Sequence, residues 1–219
     1  MEKSPVFDRT IQPYLEQLRG IDFRLLQDKL GLRAGPDAAE VDLLGVPYRV
    51  SAQGITGPGG RPAQAAVGVI LGKYILMCPG FAPIESDWTS FRDFRDAAPL
   101  IGAFANTVEA PIAREFAGQV EPLRRVAAHL RAQPPAERYP YDLSLVVPAL
   151  PKVPLLLLFN DADEEFPAKV SVLFERRAER YLDMECLAMT GMLLADVLVR
   201  SRQGAEAHEP AWPLEDLDR

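Results

Sequence analysis

Apolar positions along this chain follow a helical period in most of its first two thirds and a strand-like one after Leu143. From Ser4 to Leu32, Ile11, Tyr14, Leu15 and Leu18 recur at helical spacing, followed beyond Gly20 by Phe23, Leu25, Leu26 and Leu30, which predicts two amphipathic helices. Gly31 and Gly35-Pro36 end the second. Val41 to Gly45 and Tyr48 to Ala52 read as two short strands around a Gly45-Val46-Pro47 turn, and Ala63 to Met77 as a helix entered from a glycine-rich loop.

Between Pro79 and Pro99 the aromatics Phe81, Trp88, Phe91 and Phe94 alternate with Arg92, Asp93, Arg95 and Asp96. This predicts a short helix with its rings in the core and its charges paired on the surface. Two arginines among rings can also clamp an anion or stack on a planar ligand, which makes Trp88, Phe91, Arg92 and Arg95 candidate ligand-binding residues. Ile112, Phe116, Val120, Leu123, Val126 and Leu130 continue the helical period, broken at Gly118 and Pro122, so two helices or one kinked helix are expected. Leu143 to Val147, Val153 to Phe159 and Val170 to Phe174 are β-branched, Leu- and Phe-rich runs that predict a meander. Asp183, flanked by Leu182 and Leu187, is placed to cap a core helix over Met184 to Arg200. Residues 203–219 form an acidic tail, expected to be disordered or loosely docked, whose Trp212 and Leu214 offer a partner something to bind.

Composition narrows the class. With 219 residues, 48% of them apolar and 25% charged, the chain is long enough for one substantial core. The 24 basic and 31 acidic residues give a net charge of -7, which argues against nucleic acid as a partner. The longest apolar run, Val67 to Cys78, is interrupted by Lys73 and falls short of the roughly 20 residues a membrane span needs. The first residues lack the apolar centre of a secretory signal, so a cytoplasmic protein is expected. Cys78 and Cys186 stand far apart in apolar surroundings and read as reduced thiols, too few for an iron–sulfur cluster.

The chemistry on offer is limited. His129 and His208 are the two histidines, and no Gly-x-Ser-x-Gly elbow is present. The glycine loop fails the dinucleotide fingerprint at Pro62, and Gly72-Lys73 fails the P-loop because Tyr74 follows. The apolar run ending at Phe159 gives way to Asp161, Asp163, Glu164 and Glu165. If the strand continued, Asp161, Asp163 and Glu165 would share one face and suit magnesium or calcium. If it turned, Asn160, Asp161 and Asp163 would bond to backbone amides. An EF-hand is excluded, since Phe166 stands where glycine is needed and Val172 where glutamate is.

Leu150-Pro151-Lys152-Val153-Pro154, Asp163-Glu164-Glu165-Phe166-Pro167-Ala168 and Leu173-Phe174 together resemble the signature of a prokaryotic family, domain of unknown function 3786. Trp88-Thr89-Ser90-Phe91-Arg92-Asp93-Phe94 and Tyr181-Leu182-Asp183-Met184-Glu185 extend the likeness from about Leu43 to Leu198. Members are frequent in anaerobic bacteria and archaea, and some resemble fusions with a four-cysteine iron–sulfur module of the kind seen with corrinoid proteins. The resemblance therefore implies an accessory role in corrinoid or one-carbon metabolism, with no site residue to carry over.

The expected architecture is a single α+β domain over residues 1–202, with a mostly antiparallel sheet of about five strands covered by helices. The expected function is a non-catalytic module that binds a protein or small ligand through an acidic face. Its rival is a divalent-metal hydrolase or transferase built on Asp161, Asp163 and Glu165, with Arg92 or Arg95 holding an anionic substrate.

Overall fold

The computed structural model describes residues 5–202. Helix α1 (Pro5–Leu18) leads through a 3₁₀ turn into the single-turn α2 (Gln27–Leu30), which ends on Gly31 in the left-handed region. The first sheet is a meander of β1 (Arg33–Ala34), β2 (Ala38–Leu43), β3 (Val46–Ser51) and β4 (Gly54–Thr56), antiparallel throughout. The β2–β3 turn is Leu44-Gly45, with φ of 49° and 79°. A two-residue hairpin of this hand needs positive φ at both positions, so Val46 and Pro47 begin the next strand instead of forming the turn. Leu44 is held in this uncommon conformation by burial and by its amide, which donates to Ala149 of the second sheet at 2.8 Å.

The second sheet contains β5 (Trp88–Ser90), β6 (Leu143–Leu150), β7 (Val153–Asn160) and β8 (Lys169–Glu175), in the order β5-β8-β7-β6 and again antiparallel. Leu155 to Phe159 are all buried, so the inner strand β7, flanked by β6 and β8, shows no alternation of buried and exposed positions. The α+β class and the antiparallel pairing are those expected. Among the described residues, however, the strands number eight in two sheets of four, where about five in one sheet were expected. β1, β4 and β5 are too short to show a period. Trp88 to Ser90 in particular pair with Leu173 to Glu175, so the predicted helix there is reduced to a 3₁₀ turn at Phe91–Asp93.

Helix α3 (Ala65–Leu76) lies against α1 through Gly68 and Gly72. A Cβ at those positions would sit 2.6 Å from Ile11 Cδ1 and 3.0 Å from the Tyr14 Cβ. After a 3₁₀ turn the chain runs through α4 (Ile101–Phe104), a π-helical turn over Ala105–Glu109 and α5 (Ala110–Phe116). Pro111 accounts for the π turn: it has no amide to donate and its ring would strike the carbonyl four residues back, so the ladder widens and Ala110 bonds to Ala105. α6 (Val120–His129) follows, and α7 (Met184–Arg202) closes the core. Asp183 caps α7 as expected, its Oδ1 accepting the Cys186 amide at 2.9 Å, with Leu182 and Leu187 fully buried on either side. One continuous apolar cluster runs from Ile11 through both sheets to Leu198. No helix among the described residues is long and apolar enough to cross a membrane. The tail expected at 203–219 lies outside the described residues.

Candidate functional site

Lys73 is the one charge inside the apolar helix α3, and it points to the start of α7, where Asp183 receives it in an ion pair. The pair lines a cleft of about 650 Å³. Its walls are Met77 at the end of α3, Asp96, Pro99 and Leu100 before α4, Glu179 and Arg180 of the turn after β8, and Met184 and Glu185 of α7. Asp183 titrates below the usual carboxylate range. Burial opposes its charge, but the bonds from Lys73 and from the Cys186 amide outweigh burial. Lys73 titrates above the ordinary lysine value because of its bond to Asp183. Burial raises the Cys186 thiol far above its ordinary value, with the Asp183 charge adding to the effect. The cleft therefore holds a fixed cation and a fixed anion, while the inert Cys186 thiol is buried outside its lining.

A second hollow, of about 500 Å³, separates the helical segment 105–117 from the start of β8. Glu109 of the π turn stands in it and accepts the Val172 amide at 3.1 Å. Burial lifts the Glu109 carboxyl above its ordinary value, against the pull of the Val172 bond and of the Arg92 and Lys169 charges.

The residues singled out from sequence are distributed as follows. Trp88 is half-buried on β5. Phe91 is core, stacked on Phe104 with ring centroids 4.4 Å apart. Arg92 and Arg95 are exposed, the first acting on Glu109 and the second next to Asp96 of the cleft. None of the four lines either hollow. β7 stops at Asn160, so the face that would have aligned Asp161, Asp163 and Glu165 does not form. Asp161 Oδ1 accepts the amides of Gly118 at 2.5 Å and Ala162 at 2.8 Å, while Asp163 Oδ1 accepts those of Glu165 and Phe166 at 2.8 and 2.7 Å. Asp161 also donates its own amide to Asp142. Glu165 is exposed. Among the described residues no group of three or more His, Cys, Asp or Glu is gathered for a metal ion.

Sequence reasoning reached Asp183 as a cap and Lys73 only as a break in an apolar run. That lone charge was the available signal. Glu109 had none, since its burial depends on the π turn that Pro111 imposes.

The family model described as Domain of unknown function (DUF3786) matches residues 22–197. The chain belongs to this family. The matched span of the DUF3786 domain starts at Asp22, whose carboxylate accepts the Arg24 amide to open the first 3₁₀ turn, and ends within α7. It takes in Lys73, Asp183 and Glu109, and thus both hollows, while α1 precedes it. No curated protein and no solved structure matches the chain.

Proposed function

We propose that this DUF3786 chain is a non-catalytic binding module that takes a small organic cation, or the cationic side chain of a partner, in the Lys73–Asp183 cleft. The observation that carries this reading is the charge arrangement in the cleft. Lys73 and Asp183 offset one another, which leaves Asp96, Glu179 and Glu185 against Arg180. Met77, Leu100 and Met184 supply an apolar wall for the body of such a ligand. The protonation states favour binding over nucleophilic chemistry. An attacking amine or thiol needs a lowered pKa, whereas Lys73 and Cys186 are both raised. The kinship with chains fused to iron–sulfur modules fits an accessory role. In such an association Cys78 and Cys186 are too few to hold a cluster, so its thiolates would come from the partner.

The test is a thermal melt and an NMR titration of the wild-type protein with spermidine and with n-butylammonium. The reading predicts a raised Tm and shifts confined to amides around Asp183 and Glu179, both lost in Glu179→Gln/Glu185→Gln. If neither cation moves the wild-type melt or spectrum, the reading fails.

A further inference from the structure

The hollow between segment 105–117 and the start of β8 is left open by small side chains. Ala105 and Ala110 stand one turn apart because the π turn sends the Ala110 amide to the Ala105 carbonyl, and Ala113 and Ala117 continue the same wall along α5 and its end. Pro167 and Ala168 form the wall on the strand side. Close-packed proteins fill such gaps with branched side chains. Here about 500 Å³ remains, within the range of about 300–1,000 Å³ that small-molecule sites occupy.

Three charges are set into these apolar walls. Glu109 uses Oε1 to accept the Val172 amide, and among the described residues no donor reaches its Oε2. That second oxygen is not sealed in the interior, so it opens onto the hollow that Glu109 lines. Arg92 and Lys169 act on the Glu109 charge, yet neither closes an ion pair with it, and burial still lifts its carboxyl above the ordinary value. Arg114 and Lys169 stand exposed at the rim and make no ion pair among the described residues.

A ligand that matches this set carries both signs. A simple anion would meet Arg114 and Lys169 but bring its charge toward Glu109, and a simple amine would meet Glu109 against the repulsion of the two cations. A zwitterion satisfies all three through charge-assisted hydrogen bonds. We propose that the hollow binds a free α-amino acid with an aliphatic side chain, its ammonium on Glu109 Oε2, its carboxylate between Arg114 and Lys169, and its side chain against Ala105, Ala110 and Ala113. The site is separate from the Lys73–Asp183 cleft and does not rest on the reading of that cleft.

An NMR titration of the full chain tests it with three probes: L-leucine, 4-methylpentanoate, which is leucine without its ammonium, and isoamylammonium, which is leucine without its carboxylate. Leucine is expected to shift the Val172 and Ala113 amides and to bind at least tenfold more tightly than either fragment, while the Leu157 amide at the centre of β7 stays in place as the control for folding. In Glu109→Gln, which keeps an acceptor for Val172, leucine should bind at least tenfold more weakly and 4-methylpentanoate more tightly, because the repelling charge is gone. Arg114→Glu/Lys169→Glu should weaken leucine and 4-methylpentanoate but not isoamylammonium. The proposal is overturned if leucine leaves the wild-type Val172 and Ala113 amides unmoved, if 4-methylpentanoate binds as tightly as leucine, or if Glu109→Gln binds leucine as wild type does.

Discussion

Lys73 of α3 and Asp183 at the cap of α7 meet across 110 positions of sequence. Asp183 thus serves two structures at once, accepting the Cys186 amide with one oxygen and the Lys73 ammonium with the other. Their side chains are 29% and 33% exposed, so solvent screens the pair and the cap carries much of the stability. Asp183→Ala should cost about 2 kcal/mol and Lys73→Met no more than about 1 kcal/mol, measured by urea denaturation.

The same pair sets a pH signature. Asp183 is held below its unfolded pKa of about 3.9, so its contribution is complete above that value and is lost as pH falls through the folded pKa. Lys73 is held above its unfolded pKa of about 10.4, so its contribution is complete below that value and is lost as pH rises through the folded pKa. The stability difference between wild type and Lys73→Met should be flat across neutral pH and shrink at both extremes. A difference that changes between pH 6 and 8 would contradict this.

Three glycines sit where helices touch without room for a side chain. A Cβ on Gly191 of α7 would lie 2.6 Å from Phe104 Cε2, and Phe104 is pinned by its stack on Phe91. Gly191→Ala should cost about 1–3 kcal/mol. Gly68→Ala meets the end of the Ile11 side chain instead, which can rotate away, so its cost should be smaller. Chemical denaturation of both variants checks the order, and Gly68→Ala with Ile11→Val should recover part of the loss.

The long elements were legible because each carries several turns or alternations of pattern. The β6–β7–β8 meander and α7 with its cap follow directly from Leu143 to Phe174 and from Leu182-Asp183…Leu187. Short elements were not, since the two- or three-residue strands β1, β4 and β5 exist only through their partners. The site was less legible still. Lys73 was visible as a charge in an apolar run, but its partner lies in another helix, and the acids at 161–165 drew attention because they cluster in sequence. In the fold Asp161 and Asp163 satisfy backbone amides instead.

Glu109 carries a desolvated charge that nothing fully compensates. Its folded pKa lies above the unfolded value of about 4.3, so the native state binds the extra proton and stability falls as pH rises through that window. Glu109→Gln keeps an oxygen to accept the Val172 amide and removes the charge. It should leave stability at pH 7 unchanged or slightly raised, and should flatten the slope between about pH 4.3 and the folded pKa. Glu109→Ala orphans that amide and should be destabilised by about 1–2 kcal/mol.

The acid turn gives a test that separates its two readings. If Asp163 is an acceptor for the Glu165 and Phe166 amides, Asp163→Asn keeps an acceptor oxygen and should change stability by less than about 0.5 kcal/mol, whereas Asp163→Ala should cost about 1 kcal/mol. Under the same reading, millimolar magnesium or calcium leaves the melt of all three proteins where it is. Under the metal reading, Asp163→Asn weakens a carboxylate ligand, so a rise in the wild-type Tm with added ion should vanish in that variant. The first outcome assigns the turn to backbone capping, and the second would return Asp161, Asp163 and Glu165 to the list of ligands and reopen metal-assisted hydrolysis.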